Sequence, residues 1–191
     1  MPASAYVNLV WLPLGAGGRS VRLNGRLFEA LAARHERRTA RDLYHSALVV
    51  SHGPDRFVVE MAPAWAAGPR QRGVVVEGPV GVRSWGRSIV FRYEIRRWRG
   101  GVIPDMRYAV ERPQPMSTSE HQARRLLGLV PAVPALTWGR DERQVGEMWN
   151  SNSVTSWLLT ASGHDIDTVA PPGHGRAPGW RAGVAVAGQP R

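Results

Sequence analysis

A chain of 191 residues, 43% hydrophobic and 21% charged, has the make-up of one globular domain rather than a disordered or fibrous protein. It contains no cysteine, which excludes a disulfide framework, a thiolate metal centre and a cysteine nucleophile. The net charge is +10, all 25 basic residues are arginine, and 16 Arg against 7 acids fall in residues 1–100, so any basic surface belongs to the first half.

The N-terminal run MPASAYVNLVWLPLGAGG has no basic leader, and Asn8 and Pro13 interrupt its apolar stretch, so it does not read as a signal peptide. No segment has the uninterrupted apolar length of a membrane span, and the chain is expected to be cytoplasmic. Residues 5–14 read as a strand closed by the flexible Gly15-Ala16-Gly17-Gly18. That glycine run lacks the Gly-Lys-Ser/Thr ending and the Gly-x-Gly-x-x-Gly spacing of phosphate loops. Asn24 caps a predicted helix with Leu27 and Leu31 on one face. A hairpin follows, with strands 43–50 and 56–62 about the loop Ser51-His52-Gly53-Pro54-Asp55.

Residues 72–80 and 87–98 read as two more strands, and Arg92, Glu94 and Arg96 alternate with apolar neighbours as on a strand with one wet face. Ser117-Thr118-Ser119-Glu120 has the capping-box pattern of a helix over HQARRLLGLV. Residues 130–148 read as an ordered loop, and NSNSVTSWLLTASG (150–163) as a capped apolar helix ending at Gly163. Hairpin connections between the strands predict an α+β fold about an antiparallel sheet, with a domain over 1–165 and a Gly/Pro-rich tail over 166–191.

Two places carry candidate chemistry. Asn150-Ser151-Asn152-Ser153 puts four small polar residues, each able to cap, at the start of an apolar helix. A serine there stands at the positive end of the helix dipole beside unpaired N–H groups, suited to an alkoxide or oxyanion, but it needs a base within reach. His45, in a mid-strand setting, offers one. A four-residue loop over 51–54 sets Val50 opposite Asp55 and His45 opposite Glu60, and a carboxylate there would fix the imidazole's tautomer. A one-residue shift of register would separate that pair.

The strand histidine followed by Asn-Ser-Asn-Ser-Val-x-x-Trp-Leu-Leu resembles the circularly permuted papain-like superfamily, which includes lecithin–retinol-acyltransferase-like and permuted NlpC-like proteins. The resemblance covers roughly residues 40–160. It implies that Ser151 stands where the family has its cysteine nucleophile, in an Asn-Cys-Asn-x-Phe segment opening a helix. His45 matches the catalytic histidine and Glu60 the orienting polar residue. The implied activity is a hydrolase or acyltransferase acting on an amide, ester or thioester carbonyl of a peptide or acyl substrate. N–H groups at 151–153 would hold the oxyanion, Asn150 or Asn152 would add a donor, and Ser153 would serve the cap. No cofactor and no metal is implied. Serine departs from the family's pattern: a hydroxyl needs stronger general-base help than a thiol. A binding domain without turnover is therefore an alternative.

A third reading is a basic nucleic-acid-binding module, with Arg83, Arg87, Arg92, Arg96 and Arg99 beside Trp85 and Trp98 on the 83–99 strands. His164, Asp165 and Asp167 follow a helix without a second ligand pair, and read as a turn rather than a metal site. Trp180 is placed either to pack back on the domain or to wall a cleft.

Overall fold

The computed structural model describes residues 5–14, 29, 33–34, 37–65, 73–103 and 106–189. Gly15–Gly18 and most of the helix expected after Asn24, with Leu27, Leu31 and His35, lie outside the described residues.

Six strands form one antiparallel sheet: β1 Tyr6–Pro13, β2 Tyr44–His52, β3 Asp55–Pro63, β4 Val74–Pro79, β5 Arg92–Arg99 and β6 Gln114–Ser117. Their order across the sheet is β4-β5-β3-β2-β1-β6. Among the described elements, three α-helices follow: α1 Glu120–Leu129, α2 Ser151–Ala161 and α3 Trp180–Ala187. The fold is α+β, as the hairpin pattern implied.

Side chains alternate between the faces of the sheet, and the two faces are unequal. Val7, Leu9 and Trp11 of β1 and Leu48 and Val50 of β2 join the larger core, which α1 covers with Ala123, Leu126 and Leu127 and α2 with Val154, Trp157 and Leu158. Val10, Leu12, Ala47, Val49 and Val58 form a smaller cluster on the opposite face with Ile103.

The hairpin register differs from the sequence expectation. Strand pairing runs through Ser51↔Arg56 and His52↔Asp55, so Gly53 and Pro54 alone make the turn. Gly53 has φ +59°, a conformation that glycine adopts without strain. Val50 therefore faces Phe57 rather than Asp55, a slip of two residues. Pairing of β2 with β3 stops at Leu48↔Val59, although β2 begins at Tyr44 and β3 runs on to Pro63 beside β5. The two strands part there.

Two further expectations are revised. Residues 83–91 are not strand but two 3-10 turns, Arg83–Arg87 and Ile89–Phe91, and β5 begins only at Arg92. Residues 166–189 are not a loose tail, because α3 packs on α2 with Ala182 and Val186 buried. Gly183 lies so close to α2 that a Cβ would meet Ser153 O and Ser156 Oγ, both at 2.1 Å. Ser156 Oγ also donates to Trp180 O at 2.7 Å. Trp180 packs back on the domain, its ring centroid 5.2 Å from that of Trp11.

Candidate active site

The start of α2 stands where β2 and β3 part. Asn152 Nδ2 donates to Tyr44 O at 2.9 Å, Asn152 Oδ1 accepts from Ser46 Oγ at 2.9 Å, and Thr155 Oγ1 donates to Ser46 O at 3.4 Å. Antiparallel ladder bonds lie in the plane of the sheet, so a helix that takes β2 carbonyls reaches the level of the sheet itself. Asn152 thereby brackets His45 through the residues on either side of it. On the same edge, Tyr44 N donates to Arg176 O at 2.8 Å.

The four polar residues of the run have divided their work. Asn150 is the N-cap, its Oδ1 accepting from Asn152 N at 2.9 Å and Ser153 N at 3.3 Å, while its Nδ2 donates to Pro178 O. Ser153 closes the capping box by accepting from Asn150 N at 3.0 Å, and it donates to Gly179 O at 2.8 Å. Asn152 is held by β2 and by Pro178 O. Ser151, 7% exposed, is the member whose hydroxyl hydrogen-bonds to no described residue.

This division narrows the oxyanion site that the resemblance implies. The N–H groups of residues 152 and 153 are taken by Asn150, and the amide side chains of Asn150 and Asn152 are spent on Pro178 and Tyr44. The N–H of Ser151, at the first helical position, is the donor left over.

His45 lies on β2 opposite Leu12 of β1 and is only partly exposed. Burial alone pushes its pKa down to about 4, so the imidazole is neutral at physiological pH. In this resting arrangement its ring and Ser151 Oγ share no hydrogen bond. The pairing of His45 with Glu60 is overturned. Glu60 sits opposite Arg96 of β5 and accepts from Arg96 Nη1 at 3.2 Å, and the slip of register moves it away from residue 45. Nor is Arg96 on a wet face: its side chain is 2% exposed, clamped between Glu60 and Glu94, the latter at 2.8 Å.

The arginines of the nucleic-acid reading are largely paired. Arg92 meets Glu77 at 3.4 Å, Arg99 meets Asp55 at 2.6 Å, and Arg96 is buried as above. Arg83 approaches Glu142 loosely at 3.9 Å, and Arg87 of this set has no partner among the described residues. Three of the five are thus engaged by carboxylates of the described residues. His164 is buried with Nδ1 2.8 Å from Ser162 Oγ, and Asp165 accepts from Asp167 N, the geometry of a turn.

Fold and site together define an α+β domain with a polar helix start wedged into an opening of an antiparallel sheet. No protein-family model, curated protein or solved structure matches the chain. Among the described residues, no helix is long and apolar enough to cross a membrane.

Proposed function

We propose that the chain is a permuted papain-like hydrolase or acyltransferase in which Ser151 is the nucleophile and His45 its base. The observation that carries this reading is the division of labour at the helix start: every other polar side chain of the run is committed to the fold, and the Ser151 hydroxyl has no hydrogen bond among the described residues. It lies at a helix N-terminus bracketed to the strand of His45. In the reaction, Ser151 Oγ bonds to the carbonyl carbon while its proton passes to His45. The bond to the leaving amine, alcohol or thiol then breaks as His45 returns that proton to it. Water or a second nucleophile releases the acyl group by the reverse sequence. The Ser151 N–H would face the developing oxyanion. His45 belongs to the Leu12–Ala47 face of the sheet, opposite the one α2 covers, so substrate binding would have to bring the imidazole to the hydroxyl through the opening beside β2.

A fluorophosphonate probe tests the assignment. Covalent labelling is expected in the parent and in Ser153→Ala, and lost in Ser151→Ala and His45→Gln. A base with its pKa near 4 gives a labelling rate that is flat from about pH 5 upward.

The binding-only alternative is favoured by one specific finding, the engagement of Glu60 with Arg96, which leaves His45 without the expected carboxylate. It predicts no labelling of the parent, with hydrolysis appearing only in Ser151→Cys.

A further inference from the structure

The turns between β4 and β5 expose an unusual set of side chains. Trp85, Ile89 and Val90 are 54%, 52% and 56% exposed, Phe91 is 38% exposed, and no residue of either 3-10 turn is buried. Trp85 and Phe91 pack together, ring centroids 5.0 Å apart. Ala64 N donates to Arg92 O at 2.9 Å, which brings the end of β3, and with it the 56% exposed Trp65, to the same end of the sheet. Contiguous apolar surface of this kind on a folded domain marks a contact site.

The ledge also has a charge. Arg83, with its side chain 83% exposed, and Arg87 project from it, and no Asp or Glu occurs between Gly78 and Tyr93. Three of its backbone N–H groups are bonded within the turns: Trp85 N, Ser88 N and Phe91 N donate to Val82 O, Trp85 O and Ser88 O, each at 3.0 Å. Those N–H groups need no water, so the turns can enter a less polar layer at low cost.

We propose that this ledge docks on the surface of a membrane rich in anionic phospholipid, with Trp85, Ile89, Val90 and Phe91 entering the headgroup boundary and Arg83 and Arg87 meeting lipid phosphates. Tryptophan is favoured at that depth, and basic residues at its rim add attraction to an anionic leaflet. Two exposed aliphatic side chains at the tip suit acyl chains and have no use on a nucleic acid, where bases stack on aromatics and many phosphates must be neutralised. A symmetric contact with a second copy would bring the Arg87 side chains of two ledges together, and the carboxylate at hand, Glu142, already lies 3.9 Å from Arg83 of its own chain.

Flotation of the full chain with vesicles is the test, using phosphatidylcholine alone and phosphatidylcholine mixed with phosphatidylserine. The parent is expected to float with the mixed vesicles and not with phosphatidylcholine alone, and to be released as salt rises. Ile89→Ser/Val90→Ser and Arg83→Glu/Arg87→Glu should each weaken binding by about tenfold or more, with unchanged circular dichroism. All four positions are exposed, so folding is not at stake. The proposal is overturned if the parent ignores both kinds of vesicle. It is equally overturned if the aliphatic variant floats like the parent. Without vesicle binding, a dimer that the aliphatic variant dissolves assigns the ledge to a second copy, and single-stranded RNA binding lost in the arginine variant assigns it to nucleic acid.

Discussion

Ser151 and Ser153 stand two residues apart, and the fold uses them in opposite ways. Ser153 is fully buried, accepts from Asn150 N and donates to Gly179 O. Removing its hydroxyl undoes half of the capping box and leaves Gly179 O with only the longer bond from Gly183 N, at 3.4 Å. Ser153→Ala is therefore expected to cost about 2 kcal/mol in urea denaturation, and Ser151→Ala less than about 0.5 kcal/mol. Equal costs would mean that the Ser151 hydroxyl is also structural. His45 gives a second residue-level expectation. Its pKa is about 4 in the fold against 6.5 for the free side chain, so the unfolded chain binds the proton more readily between those values. Stability from this group is complete above pH 6.5 and is lost as pH falls towards 4, by at most about 3 kcal/mol. The shift of His164, also downward by burial, acts in the same direction. Denaturation midpoints at neutral and mildly acidic pH should thus diverge more for the parent than for His45→Gln, and an identical divergence would show that His45 is not strained by burial.

Among the elements, α3 depends on a close approach. Gly183 faces Ser153 O and Ser156 Oγ at a distance that admits no side chain, and a methyl group there would push α3 off α2. Gly183→Ala should destabilise by about 1–3 kcal/mol and loosen Trp180 from Trp11, read as a change in near-ultraviolet circular dichroism. A variant as stable as the parent would mean that the two helices can slide apart freely. The same contact explains why α3 was invisible in a stretch rich in glycine and proline. Its helical state is set by what Gly183 touches far away in sequence, not by propensity. The turns at 83–91 misled for the opposite reason: Ile89, Val90 and Phe91 have strand-forming side chains, but the ladder of β4 with β5 ends at Pro79↔Arg92, and only Phe91 O still accepts from Val80 N.

For the molecule as a whole, the antiparallel α+β plan was legible because hairpins are local and their alternation of apolar and polar residues survives in the sequence. Register was not. Ser51, His52 and Asp55 are polar turn formers by type, yet they pair as strand, and that slip, with the end of β2–β3 pairing at Leu48↔Val59, displaced Glu60 from His45. At the site, the Asn-x-Asn frame around Ser151 singled out the residue that is left free. It could not indicate that the neighbouring donors are consumed, because their acceptors, Tyr44 O, Pro178 O and Gly179 O, belong to other parts of the chain.

The parting of β2 from β3 also has a history in time. The groups that fill it arrive late: Asn152 lies 106 residues after Ser46, with which it bonds. At roughly 5–20 residues per second, the ribosome needs on the order of ten seconds to make that interval. Throughout it, the carbonyls of Tyr44 and Ser46 stand unclaimed on a strand whose middle, Ala47–Val50, is apolar, an invitation to any extended segment nearby. A nascent chain would thus pass through a stage in which its sheet is open at the position where the serine will later stand, until the segment that carries Asn152 has been made.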